Sequence, residues 1–131
     1  DTFDRMYQMN LRTAVAACQA ALPHLPDGGH IVNIGANGAV KAGAGMAAYA
    51  ASKAGVMRLT EALAEELKPR GLTVNALLPS IIDTPANRKD MPDADFSAWV
   101  QPGQLAAAIG FLLSDEAGAI TGALIPVVGR V

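Results

Sequence analysis

The fold of this chain is decided by two short apolar runs, His30-Ile-Val-Asn-Ile34 and Leu72-Thr-Val-Asn-Ala-Leu-Leu78. Gly35 ends the first run and Pro79 ends the second. Nearly continuous apolar runs of this length are typical of parallel strands that are buried on both faces of a sheet. Two neighbouring strands of a parallel sheet are therefore predicted.

Helical patterns lie on both sides of each run. Apolar residues recur at helical spacing over residues 2–25, a long helix is predicted over about 46–68, and a third runs over 102–114. Residues 120–128 are predicted to form a last strand. Helices that alternate with strands in this order specify an α/β fold in which three parallel strands are joined by crossover helices. Because three strands leave apolar edges unpaired, we expect further strands of the same sheet to precede residue 1.

The composition excludes several classes of protein. Of the 131 residues, 51% are hydrophobic and 17% are charged, which excludes a disordered chain. A formal net charge of -2 argues against a nucleic-acid partner, and no apolar run is long enough for a membrane span. The single cysteine, Cys18, excludes a disulfide framework and predicts a cytoplasmic protein. His24 and His30 have no metal-ligand spacing with it, so no metal site is predicted.

Residues 80–100 form a polar connection that contains Pro85 and Pro92 and many charges. A connection of this length within a compact domain is usually a functional lid or a disordered segment. Phe96 and Trp99 favour a lid that packs onto the domain, because large aromatic side chains gain from burial.

The clearest chemical signal is Tyr49-Ala-Ala-Ser-Lys53, near the start of the long predicted helix. Residues four apart share a helix face, so the phenol and the ammonium can point into one site. A free tyrosine has a pKa of about 10, and a nearby ammonium lowers that pKa because it favours the phenolate. The pair is a candidate general acid and base. The spacing alone also fits a core tyrosine with a surface lysine one turn further on.

Several motifs, taken together, resemble the short-chain dehydrogenase/reductase family over essentially the whole chain. They are Met9-Asn10-Leu11, Ile31-Val-Asn-Ile34, Tyr49-Ala-Ala-Ser-Lys-Ala-Gly55, Val74-Asn75, Pro79-Ser-Ile-Ile-Asp-Thr84 and Ile120-Thr-Gly122. The resemblance implies the C-terminal half of a Rossmann-type, doubly wound parallel sheet, with residues 1–131 as part of a single domain. The N-terminal half, which holds the cofactor phosphates in this family, would precede it.

The resemblance also implies roles for individual residues. Tyr49 would exchange the proton, and Lys53 would lower its pKa and hold the nicotinamide ribose. Asn10 would anchor a water molecule of the proton relay. The segment over the nicotinamide carboxamide would comprise Pro79, the backbone of Ile82 and the hydroxyl of Thr84. The implied cofactor is NADH or NADPH, the substrate is a small molecule, and the long helices would join a homodimer or homotetramer.

One position departs from the family pattern. The family's catalytic serine lies thirteen residues before the tyrosine, where this chain has Ala36, preceded by Gly35. Loss of one preorganised hydrogen-bond donor typically costs on the order of 3 kcal/mol of transition-state stabilisation. Ordinary ketone or alcohol chemistry is therefore expected to be weakened.

In lacking this serine, the chain is similar to the dihydropteridine reductases, a branch of the family that also lacks it. Residues 83–99 resemble the substrate-side segment of that branch, which implies a substrate region of Gly35, Ala36, Asn87 and Trp99. The implied reaction is hydride transfer from NADH or NADPH to a quinonoid dihydropterin. Two alternatives stay open: a generic carbonyl reductase or alcohol dehydrogenase of the family, and a non-catalytic nucleotide-binding relative. Asn10 follows the general family rather than the pteridine branch.

Overall fold

A computed structural model describes all 131 residues and contains one three-stranded parallel sheet. The strands are β1 (His30–Ile34), β2 (Thr73–Pro79) and β3 (Leu124–Val127), and they lie in the order β1-β2-β3. Both pairs are parallel, with Ile31 opposite Val74 and Leu77 opposite Ile125. The predicted α/β fold with three parallel strands is confirmed.

Strand β2 is buried over its whole length. It has a strand on each side, and its side chains alternate between two apolar clusters. Leu77 packs with Leu105 and Leu112, whereas Ala76 and Leu78 pack with Met57 on the other face. This arrangement explains why the run 72–78 is apolar without alternation, because neither face of the strand meets water.

The helices of the C-terminal part lie where the periodicity predicts them. Helix α3 spans Ala47–Glu66, and a turn with Gly71 at φ +67° leads from it into β2. Helix α5 spans Pro102–Leu112, and at its start the backbone N–H of Gln101 donates to the side-chain oxygen Oε1 of Gln104 at 2.9 Å, as in a capping box. Met57 belongs to α3, and Leu105 and Leu112 belong to α5, so the two helices cover opposite faces of the sheet.

The N-terminal helix is less regular than predicted. It divides into α1 (Thr2–Met6), a π-helical segment (Tyr7–Arg12) and α2 (Thr13–Ala21), followed by a short 3₁₀ turn. Its apolar residues also do not all face inward: Cys18 is buried, but Phe3 is 58% exposed and Met9 is 56% exposed. Helical periodicity alone could not predict the π segment, since the change from α to π geometry leaves no mark in the apolar pattern.

Strand β3 is shorter than the predicted strand over 120–128. Gly122 adopts φ +72°, a left-handed conformation that interrupts an extended strand. The residues before β3 instead bind the side of β2: Gly122 N donates to the carbonyl of Val74, and Val74 N donates to Thr121 Oγ1. The buried Asn75 completes this contact, because its carboxamide donates to Ile120 O and accepts from Ala123 N.

The connection 80–100 packs against the rest of the domain. It contains helix α4 (Pro85–Asp90) and a single 3₁₀ turn, and its two ends meet in a parallel bridge between Ile82 and Val100. Trp99 is 4% exposed, and its ring centroid lies 4.8 Å from that of Phe96. None of the helices has the length and apolarity that a membrane span requires.

Candidate active site

A cavity of about 290 Å³ opens at the carboxyl ends of β1 and β2, the edge at which open α/β sheets bind ligands. We call it the first cavity. Its lining comes from the ends of both strands, from α3 and from the connection 80–100. The lining residues are Ile34, Gly35, Ala36, Tyr49, Lys53, Pro79, Ser80, Ile81, Ile82, Asn87 and Met91.

Tyr49 and Lys53 both reach the first cavity from the first half of α3. Their separation of four residues places them on one helix face, as the spacing predicts. Lys53 Nζ donates a hydrogen bond of 3.3 Å to the carbonyl oxygen of Ile34, the last residue of β1. Burial lowers the pKa of Lys53 below its usual value because it disfavours the ammonium.

Asn10 lies in the π-helical segment and connects it to α3. Its Nδ2 donates to Ser52 Oγ at 3.1 Å, and Ser52 Oγ donates to the carbonyl of Tyr49 at 2.7 Å. The two helices approach closely here, since a Cβ added to Gly55 would lie 2.6 Å from Leu11 Cδ2. Departures to π geometry occur frequently at functional sites. The structure thus places Asn10 behind the tyrosine, outside the lining of the first cavity.

Ser52 is a residue of the site that the sequence reasoning missed. It is 6% exposed, and it links the side chain of Asn10 to the backbone of Tyr49. A signal was present, because Ser52 stands beside Lys53 in the same short motif. A serine on a helix usually binds its own backbone, and only the tertiary contact shows its second partner.

A second cavity of about 380 Å³ adjoins the first on the side away from Lys53. The two share Ala36, Tyr49, Pro79, Ser80 and Ile81, and the second is completed by Asn37, Gly38 and Met46. Ala36 is 5% exposed and borders both cavities next to Tyr49. Position 36 therefore lies where the two cavities meet, and its side chain has no hydrogen-bond donor.

The segment 79–84 is divided by the fold. Pro79 and Ile82 line the first cavity. Thr84 does not line it: its Oγ1 accepts from Asn87 N at 3.1 Å and so caps helix α4. No protein acceptor receives the backbone N–H of Ile82, so this donor of a cavity-lining residue is unused within the protein.

The two predicted substrate residues of the connection have different positions. Asn87 lines the first cavity, where its Nδ2 donates to Ile82 O at 2.8 Å. Trp99 lines neither cavity, because it is buried with its indole against the ring of Phe96. Met91, which the sequence did not single out, lines the first cavity instead.

An ion pair holds the start of α4. Arg88 binds Asp83 with two hydrogen bonds, Nε–Oδ1 at 2.6 Å and a second to Oδ2 at 2.8 Å. Gln101 Nε2 also donates to Asp83 Oδ2, at 3.0 Å. Hydrogen bonds from Arg88 and then from Gln101 lower the pKa of Asp83 to about 2. The Arg88 guanidinium also lies 4.4 Å from the centre of the Phe96 ring, and the other neighbour of that ring is Trp99.

Comparison with known proteins identifies the family. Residues 1–129 match the family model described as Enoyl-(Acyl carrier protein) reductase. The 4-formylbenzenesulfonate dehydrogenase of Comamonas testosteroni is 35% identical, over 98% of this chain and 57% of its own length. The 3-oxoacyl-[acyl-carrier-protein] reductase of Pseudomonas aeruginosa is 41% identical, over 77% of this chain and 44% of its own length.

Solved structures agree with the sequence comparison. The promiscuous reductase LugOII, which catalyses keto-reduction at C1 during lugdunomycin biosynthesis, superposes with a TM-score of 0.88 and 32% identity over 98% of this chain and 54% of its own. The angucycline C-6 ketoreductase LanV with bound NADP superposes with a TM-score of 0.84 and 30% identity, over 97% and 52%. The chain spans about half the length of these relatives.

The chain therefore belongs to the short-chain dehydrogenase/reductase family, whose members include NAD(P)-dependent oxidoreductases. It matches a C-terminal portion of the family's domain, so the resemblance of its motifs to that portion is confirmed. None of the relatives named above carries a pteridine in its name.

Proposed function

We propose that the protein that carries this chain is an NAD(P)H-dependent oxidoreductase that interconverts a carbonyl group and an alcohol. The observation that carries the proposal is that Tyr49 and Lys53 line one cavity at the carboxyl ends of β1 and β2. A proton donor in such a cavity is what carbonyl reduction requires at the substrate oxygen. The ketoreductases among the structural relatives support the same chemistry.

The residues of the first cavity fit a nicotinamide nucleoside. Lys53 brings an ammonium and Tyr49 a phenol, which can bind ribose hydroxyls. Pro79 and Ile82 form one wall, and the free N–H of Ile82 can donate to an amide oxygen such as that of the nicotinamide carboxamide. Thr84 lies outside this lining and caps α4 through its oxygen lone pair, so its proposed contact with the carboxamide would need the segment 82–84 to move toward the cofactor.

In the proposed reaction, the substrate carbonyl gains a hydride and a proton. A hydride adds to the carbonyl carbon while Tyr49 Oη gives its proton to the carbonyl oxygen, so that an alcohol is formed. When bound, the nicotinamide would supply this hydride. Lys53 stabilises the resulting phenolate by its charge, and its bond to Ile34 O fixes the ammonium at the end of β1. The chain from Asn10 through Ser52 to the backbone of Tyr49 holds the phenol in position; we propose that Asn10 also anchors a relay water.

The cofactor is proposed to be NADPH, with NADH as the alternative. Two structural relatives are described in complex with NADP or NADPH. Titration of the full-length protein with each reduced nucleotide, followed by calorimetry, tests this choice. Equal affinity for the two would contradict it.

Reduction of a quinonoid dihydropterin is a second candidate function, and Ala36 is the observation that favours it. An electron-poor conjugated ring depends less on a hydroxyl that binds a carbonyl oxygen, and position 36 has none. The two candidates differ in their response to Ala36→Ser. That substitution is expected to accelerate reduction of a carbonyl substrate by about tenfold or more, and to leave pterin reduction within about twofold.

The proposed function is tested with the full-length protein, NADPH and three acceptors: benzaldehyde, ethyl acetoacetate and quinonoid dihydropterin. Loss of reduced nicotinamide is followed by absorbance, with Tyr49→Phe as the variant. Turnover that depends on Tyr49 supports an oxidoreductase. NADPH binding without turnover of any acceptor would instead support a nucleotide-binding relative that has lost catalysis.

We also propose that the protein is a cytoplasmic homodimer or homotetramer that associates through its N-terminal helical segment and α3. Phe3 and Tyr7 present exposed apolar side chains on this surface, and Ala48 and Ala51 of α3 lie beside them. Exposed apolar patches of this kind often mark protein interfaces. Light scattering of the full-length protein is expected to give a dimer or tetramer mass, and a Phe3→Glu variant is expected to reduce it.

A further inference from the structure

The second cavity contains a polar side chain that the mechanism above does not use. Its lining has three side chains able to donate a hydrogen bond, namely Asn37, Tyr49 and Ser80. Tyr49 is the proposed proton donor. A carbonyl oxygen that is reduced here needs a second donor, because Ala36 supplies none. The remaining candidates are Asn37 and Ser80.

The hydroxyl of Ser80 already donates its hydrogen bond within the protein. Its Oγ donates a hydrogen bond of 2.9 Å to the carbonyl oxygen of Val128. A hydroxyl has a single hydrogen to donate, so in this arrangement Ser80 can only accept from a ligand. It cannot take over the work of the missing serine without breaking its bond to the C-terminal segment.

The Asn37 carboxamide has no hydrogen-bond partner within the protein, and its side chain is half-buried in the wall of the second cavity. An amide has two N–H donors and a carbonyl acceptor. Such a group at the edge of a cavity is satisfied by water when the site is empty, and it can exchange that water for a ligand atom at little cost. Apart from Tyr49, Asn37 is thus the one side chain of this cavity that has an unused hydrogen-bond donor.

The backbone around Asn37 holds it in a fixed position. Gly35 donates to Leu77 O at 2.8 Å, and it packs so closely that an added Cβ would lie 2.6 Å from Leu78 Cδ2. Asn37 then begins a 3₁₀ turn, which is closed by bonds of 3.1 Å from Ala39 N to Ala36 O and from Val40 N to Asn37 O. A side chain one residue after Ala36 on so short and anchored a turn is preorganised toward the same cavity.

We propose that the Asn37 carboxamide donates a hydrogen bond to the substrate oxygen and so replaces the serine that position 36 lacks. The inference rests on the proposed carbonyl reduction and names a specificity residue for it. The substrate class that fits is a ketone or aldehyde whose oxygen is shared between Tyr49 Oη and Asn37 Nδ2. Reduction of such a carbonyl then proceeds without a hydroxyl at position 36, and a hydroxyl added there by Ala36→Ser would give the same oxygen a further donor.

The test uses the full-length protein with NADPH and whichever of benzaldehyde and ethyl acetoacetate the wild type reduces faster. Asn37→Ala and Asn37→Asp each remove the amide donor, and Asp preserves the shape. Both are expected to lower kcat/KM about 100-fold, mainly through kcat, while NADPH affinity stays within threefold. Val40→Ala, whose side chain is 61% exposed and lines neither cavity, is the control on the same turn.

A rescue variant separates hydrogen bonding from a structural role. The double variant Ala36→Ser/Asn37→Ala restores a donor at the neighbouring position and is expected to recover at least tenfold of the lost kcat/KM. Failure of this rescue, or Asn37 variants within threefold of wild type, would overturn the inference and leave the proposed function intact. A wild type that reduces neither carbonyl would overturn both.

Discussion

Lys53 Nζ on α3 donates to the carbonyl oxygen of Ile34 at 3.3 Å, across a sequence separation of 19 residues. This bond joins the helix that carries Tyr49 to the end of the strand that borders the cavity. It also places the ammonium in a partly buried position, where desolvation lowers its pKa. The geometry of the proposed catalytic pair therefore depends on the packing of α3 against β1 and on the spacing within the helix.

The pKa of Lys53 gives a pH dependence with a definite sign. Because burial lowers the pKa, the ammonium loses its proton at a lower pH than a free lysine, whose value is 10.5. We expect kcat/KM to fall on the alkaline side before pH 10.5 is reached. A pH–rate profile measures this limb, and it should be absent from the residual activity of Lys53→Met. A limb at or above the pKa of free lysine would contradict the prediction.

The lowered pKa of Lys53 also affects the free energy of unfolding. An ion pair would raise the pKa of a lysine and stabilise the fold, whereas burial of Lys53 lowers its pKa and destabilises the fold. The charged form of Lys53 is disfavoured by folding, so the cost is fully present below the folded-state pKa and disappears as the pH rises toward 10.5. The stability of the wild type relative to Lys53→Met should therefore rise between neutral pH and pH 10. Urea unfolding at several pH values measures the difference. Lys89→Met, an exposed lysine of α4, is the control.

Tyr49→Phe removes the phenol and keeps the ring. Proton transfer by a positioned side chain contributes typically 10²- to 10⁴-fold, so we expect kcat to fall by about that factor. NADPH affinity should fall much less than kcat, because only one of the two proposed ribose donors is lost while Lys53 and the wall from Pro79 to Ile82 are retained. Steady-state kinetics and calorimetry check the two halves of this prediction, and unchanged turnover would refute the role of Tyr49.

Gly55→Ala tests the close approach of α3 to the π-helical segment. The added Cβ would meet Leu11 Cδ2 at 2.6 Å, and overpacking of this kind costs about 1–3 kcal/mol. The gain in helix propensity is about 1 kcal/mol, so we expect a net loss of about 1 kcal/mol. Turnover should also fall, because the contact lies beside the Asn10–Ser52 hydrogen bond.

Gly110→Ala is the matched control for this substitution. Gly110 lies within α5, and a Cβ added there has no atom within 4 Å. The same propensity gain then acts alone, and we expect stabilisation by about 0.5–1 kcal/mol. Thermal or urea unfolding of both variants gives the comparison. If both variants had a higher free energy of unfolding than the wild type, the packing at Gly55 would not be tight.

Asp83→Asn tests the ion pair that holds the connection 80–100. Since the pKa of Asp83 in the folded protein is about 2 and the ordinary value is 3.8, its contribution is present above pH 3.8 and is lost as the pH falls through 2. Trp99 is the only tryptophan and lies beside Phe96, so its fluorescence reports on this connection. The change in Trp99 fluorescence on acidification should occur at a higher pH in the Asp83→Asn variant than in the wild type. Asp93→Asn, exposed in the same connection, should leave it unmoved.

Local sequence determined the elements that depend on local forces. Apolar runs without alternation predicted β1 and β2, and helical periodicity with Pro69 and Gly71 beyond it predicted α3 within two residues of its ends. The spacing of Tyr49 and Lys53 predicted that they share a site, because four residues make about one helical turn. These predictions need no knowledge of what packs against the element.

Tertiary contacts decided the rest. The hydrogen bond from Asn10 to Ser52 joins residues 42 apart, the left-handed Gly122 shortens β3, and Trp99 packs on Phe96 instead of lining a cavity. Each outcome depends on which distant surfaces meet, and periodicity carries no information about that. The sequence by itself determined the order of elements and that Tyr49 and Lys53, the proposed catalytic pair, share a helix face. Only the folded chain decided which polar groups are satisfied internally, as Ser80 is, and which face the cavity with a free donor, as Asn37 does.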